Sequence, residues 1–68
     1  MTKICVAPKP GLDELLNELV ALSSGAILEI NPYPQASCIL VQSEDDVDAI
    51  RQFILEAGFY IRGYEPNL

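Results

Sequence analysis

The sequence predicts an α+β fold, a ferredoxin-like βαββαβ two-layer sandwich whose antiparallel sheet runs in the order 4-1-3-2. Three observations predict it. Two stretches carry apolar residues at helical spacing, and four short runs are rich in β-formers. The two kinds alternate along 68 residues with only turns between them. A chain of this length forms one domain, 1–68, with a small core. Half of its residues are hydrophobic, which is too apolar for intrinsic disorder.

The first strand runs from Lys3 to Ala7 and is closed by Pro8-Lys9-Pro10-Gly11. The period then changes. Leu12, Leu15, Leu16, Leu19 and Leu22 form one stripe of a helix over 12–23, and Asp13, Glu14, Asn17 and Glu18 fall outside it. Ser23-Ser24-Gly25 ends this helix, with Gly25 as its left-handed C′ residue. Ala26 to Ile30 is the second strand, Asn31-Pro32-Tyr33-Pro34-Gln35 a stiff turn, and Ser37 to Gln42 the third strand. Ser43 and Asp46 have the spacing of a capping box for a second helix over 44–57. Its apolar face is Val47, Ile50, Phe53, Ile54 and Ala57, and Gly58 stops it. Phe59 to Tyr64 is the last strand, followed by a tail of four residues, Glu65 to Leu68.

Strand alternation assigns the two sheet faces. Ile4, Val6, Ile39, Val41, Phe59 and Ile61 face the helices, and Cys5, Cys38, Leu40, Tyr60, Arg62 and Tyr64 face away. Cys5 and Cys38 then lie on one face of neighbouring strands. Disulfide-dense secreted domains of this size usually carry more than two cysteines. Flanked by Ile4 and Val6, and by Ile39, these two read as reduced, buried or half-buried thiols. A disulfide stays open to them if their strands are neighbours. A metal site is not expected, because the chain has no C-x-x-C pair.

Ten acids against four bases leave a net charge of −6, with no histidine. That balance argues against direct nucleic-acid binding and against docking on an anionic membrane. No run approaches the roughly 20 apolar residues of a membrane span. The N-terminal apolar stretch stops at Pro8, too early for a signal peptide. A soluble, cytoplasmic monomer is expected.

The acids themselves are the first candidate site. Glu44, Asp45, Asp46 and Asp48 crowd the start of the second helix. Complementing the macrodipole accounts for one or two of them, at about 0.3–1 kcal/mol each. Their mutual repulsion costs similar amounts, and Asp48 alone has a local partner, Arg51 at i+3. A calcium loop is not formed, because the alternation of an EF-hand is missing. Asp13, Glu14 and Glu18 on the first helix join Asp45, Asp48 and Glu56 on one side of the sheet, with Glu65 and the terminal carboxylate at its end. The plain reading is a solvated face. The functional reading is a surface matched to a protein partner with a basic groove.

A secondary interaction face is Tyr60, Arg62 and Tyr64. RNA-binding modules of this topology stack bases on aromatics of the central strands, where this chain has Cys5, Cys38 and Leu40. Lys9 beside the first helix could hold an anion weakly, although a rigid Pro/Gly connector explains that loop as well. Catalysis has little to work with. Ser23, Ser24, Ser37 and Ser43 read as cap or loop residues, and Cys38 has no basic neighbour to activate it. No enzyme, no catalytic residue and no cofactor are expected.

In length, acidity and lack of catalytic motifs, the whole chain is similar to small acidic phage-encoded inhibitors of the anti-CRISPR type. The resemblance carries no residue over. It implies a non-enzymatic inhibitor that mimics nucleic acid before an effector complex in the host cytoplasm. The alternatives are a small-molecule-binding regulatory domain like the ACT domains, suggested by Gly11 at the first strand–helix junction, and a structural subunit of a larger assembly.

Overall fold

A computed structural model of the chain describes residues 1–22, 27–29 and 37–66. In chain order these form β1 (Thr2–Val6), α1 (Leu12–Leu22), β2 (Ile27–Glu29), β3 (Ser37–Val41), a 3-10 turn (Glu44–Asp46), α2 (Val47–Glu56) and β4 (Ile61–Glu65). The strands lie side by side in the order β2-β3-β1-β4, and every neighbouring pair is antiparallel.

The core sits between the helices and one sheet face. Ile4 and Val6 of β1 and Ile39 and Val41 of β3 alternate onto that face and are fully buried. Against them pack Leu15, Leu16 and Leu19 of α1, then Val47, Ile50 and Ile54 of α2, with Phe59 closing one end. Leu12, Phe53 and Ile61 border the cluster. Each such side chain, taken from water, contributes about 1.5–3 kcal/mol. The helices form where they do because their apolar stripes have this face to cover.

The regular ferredoxin-like sandwich expected from the sequence needs correction, and the chain is better described as a small α+β fold, an antiparallel sheet with two helices. The second helix does not start at Glu44. A 3-10 turn precedes it, closed by the Asp46 N–H donating to the Ser43 carbonyl at 3.1 Å. Ser43 makes no side-chain cap bond, so the capping box is absent. The last strand starts at Ile61 rather than Phe59. The Phe59 N–H still donates to the Ile54 carbonyl at 3.2 Å, which holds that residue to the end of α2 and off the sheet ladder.

The largest departure lies within β4. Val6 pairs with Ile61, but Cys5 pairs with Gly63, so one step on β1 spans two on β4. Arg62 is the extra residue of a β-bulge. The sheet layer therefore rests on β3, β1 and a kinked β4, five residues each, while β2 adds three at one side. The helix end at Ser23-Ser24-Gly25, the turn at 31–35, the strand ends Ala26 and Ile30, and Asn67 and Leu68 with the terminal carboxylate lie outside the described residues.

Candidate functional site

The helices bury one stripe and turn their acids outward. With Leu15, Leu16 and Leu19 in the core, Asp13, Glu14 and Glu18 of α1 are exposed. With Val47, Ile50 and Ile54 inward, Asp48 and Glu56 of α2 are exposed, as is Asp45 in the preceding turn. Asp46 is half-buried. Asp48 has a nearly free side chain, 98% exposed, and its Oδ1 lies 4.0 Å from Arg51 Nη1. The i+3 pair read from the sequence is therefore present, although in water such a pair is worth little. Glu56 accepts a hydrogen bond from Gln52 Nε2 at 3.0 Å, one helical turn away.

Glu44 is exposed like the other acids, but its carboxylate is tied to β1. Thr2 is fully buried, and its hydroxyl donates to Glu44 Oε1 and Oε2 at 3.0 and 3.2 Å. The Met1 amine lies 3.6 Å from the same carboxylate. A buried hydroxyl needs an acceptor, and Glu44 supplies it across 42 residues of sequence. Its role is to fasten the turn before α2 to β1. Glu65, expected beside it, stands opposite Lys3 in the β1–β4 register.

Lys9 is also committed. Its ammonium donates to the Gly58 carbonyl at 2.6 Å and lies 5.2 Å from the centroid of the Phe59 ring. Gly58 has a φ of 85°, and a Cβ there would stand 3.3 Å from Lys9 Nζ. Glycine thus both allows the left-handed turn and admits the lysine. The last turn of α2 has no basic residue of its own, and Lys9 supplies the missing positive charge from across the fold.

The expected face of Tyr60, Arg62 and Tyr64 is not formed. Residues directly opposite on neighbouring strands share a face. Tyr64 pairs with Ile4 and so lies on the helix side, where the Arg51 guanidinium stacks 4.8 Å from its ring centroid. Tyr60, 76% exposed, precedes the bulge and lies on the other side of the strand from Ile61. The bulge at Arg62 separates the two rings. A glycine inside a strand run is a known sign of a bulge, and Gly63 was the signal in the sequence.

The cysteines are not free thiols. Cys5 and Cys38 stand opposite each other on β1 and β3 and are joined by a disulfide. Strand alternation placed them together, while their flanking residues suggested only apolar packing. A cleft of about 320 Å³ lies at the start of α1, lined by Lys9, Pro10, Gly11, Leu12, Asp13 and Glu14. Among the described residues, no group of three or more Asp, Glu or Cys is placed to hold a metal ion. No helix among them is long and apolar enough to cross a membrane. No family model, curated protein or solved structure matches the chain.

Proposed function

We propose that the chain is a non-enzymatic interaction module that offers the acidic outside of its helical layer to a protein with a basic, phosphate-gripping groove. It would act there as an inhibitor standing in for nucleic acid, in the manner of the anti-CRISPR type. One observation carries this reading. Asp13, Glu14, Glu18, Asp45, Asp48 and Glu56 are all exposed, and the one base of α1, α2 and the 3-10 turn, Arg51, is held between Asp48 and Tyr64. Such a one-signed surface steers a basic partner and disfavours others.

The test is capture from a bacterial host lysate, with salt and DNA as competitors. Wild type should retain a nucleic-acid-binding protein, and retention should fall with salt, because exposed charges are screened within about 8–10 Å at physiological ionic strength. A variant with Asp45, Asp48 and Glu56 changed to lysine should keep its fold and lose the partner. The same change at Asp13, Glu14 and Glu18 should weaken retention less. A partner indifferent to salt, DNA and both reversals removes the reading.

A second reading, a small-molecule-binding regulatory domain, is favoured by the cleft at the start of α1. Its volume of about 320 Å³ falls within the range of small-ligand pockets. A thermal-shift screen against amino acids tests it, since a ligand of the folded state raises the apparent stability. No shift at millimolar ligand removes it.

A further inference from the structure

The Cys5–Cys38 disulfide lies on the sheet face that the helices leave open, because Ile4, Val6 and Ile39 on either side of these cysteines point into the core. The two sulfurs are not equally placed. Cys38 is buried, with 8% of its surface exposed, whereas Cys5 is half-buried. On the side of β1 away from Cys38, the residue opposite Cys5 is Gly63. A Cβ at Gly63 would stand 3.4 Å from Cys5 Cβ and 3.6 Å from Cys5 Sγ. Any larger side chain there would lie against the sulfur. The bulge decides this, since it sets Gly63 rather than Arg62 opposite Cys5.

Thiol–disulfide exchange proceeds by attack of a thiolate in line with the bond that breaks. A thiolate attacking Cys5 Sγ must therefore approach from the side away from β3. That is the β4 side, where Gly63 has no side chain to block it. We propose that Cys5–Cys38 is a thiol-exchange site whose substrate is a dithiol reductant, with Cys5 the attacked sulfur and Cys38 the leaving group. The first thiolate of the reductant forms a bond to Cys5 Sγ as the Cys5–Cys38 bond breaks. Its electron pair leaves on Cys38, which takes a proton from water. The second thiolate of the reductant then attacks its own partner sulfur and releases Cys5. The protein gains two electrons and two protons as two thiols, and the dithiol becomes a disulfide.

The experiment follows reduction of the full chain by dithiothreitol under native conditions, read by alkylation of the freed thiols and mass. Wild type should be reduced without unfolding, as shown by a far-UV spectrum that stays native throughout. Gly63→Val should slow reduction by about tenfold or more by covering the attacked sulfur. Glu65→Val, two residues along the same strand face, should leave the rate unchanged. With glutathione in place of the dithiol and an acid quench, the trapped mixed disulfide should be on Cys5. If Gly63→Val does not fold, Gly63→Ala and the trapping on wild type carry the test. The proposal is overturned by glutathione on Cys38, by equal rates in wild type and folded Gly63 variants, or by reduction that proceeds only at the global unfolding rate.

Discussion

The two faces of the sheet are held by different forces. On the covered face, Ile4, Val6, Ile39 and Val41 lose all contact with water beneath two helices. On the open face, β1 and β3 are joined by a covalent bond, with half-buried Leu40 nearby. A small chain can build one hydrophobic layer but has too few residues to cover a second face. The disulfide adds a different restraint there, by restricting the unfolded chain across a separation of 33 residues.

The comparison breaks most severely on the covered face. Leu19→Ala and Ile54→Ala each remove a fully buried side chain, and each should lower stability by about 2–5 kcal/mol. Urea midpoints should fall accordingly, and unchanged midpoints would place the core elsewhere. On the open face, the double change of Cys5 and Cys38 to alanine should cost about 3–4 kcal/mol relative to the oxidised protein. It should cost little relative to the reduced one. Equal loss in both states would mean that the cysteines act by packing rather than by the bond.

Smaller effects test the ties between layers. Glu44→Ala leaves the buried Thr2 hydroxyl without its acceptor, at about 1–3 kcal/mol. Glu44→Gln keeps an acceptor oxygen and should restore most of that loss in thermal unfolding. Lys9→Met removes the ammonium at the end of α2 while keeping the aliphatic stem, and should cost about 1 kcal/mol. Asp48→Asn alters an exposed carboxylate and should move stability by no more than about 0.5 kcal/mol. It is the cleanest probe of the proposed partner binding, because its effect on the fold is the smallest.

The buried faces of the helices were legible because their evidence is local. Leu15, Leu16 and Leu19 of the leucine stripe set the buried face of α1 without reference to anything else in the chain, while Leu22 at its end is exposed. Strand alternation likewise placed Cys5 and Cys38 side by side, while their chemical state depends on two sulfurs meeting in space. The tie of Glu44 to Thr2 was not legible, because its partner is 42 residues away. Nothing near Glu44 distinguishes it from Asp45, which is likewise exposed. The contact of Lys9 was not legible for the same reason, since the Gly58 carbonyl it meets is 49 positions on. The tyrosine face failed on a single residue. One unpaired position at Arg62 inverts the alternation beyond it, so Tyr64 came to Arg51 instead of joining Tyr60.

The kink at Arg62 also matters for what the molecule avoids. β4 is the outermost strand beyond β1, and an outermost strand is a template on which another chain can add. Straight templates recruit foreign strands along their whole length and can seed aggregates. β4 is bent after its first residue, and it carries exposed Arg62 and Glu65 on its short run. An incoming strand would find its hydrogen-bonding register broken at the bulge and a charge on either side of Gly63. The residue that uncovers the Cys5 sulfur therefore belongs to a segment that also guards the sheet against growing by accretion.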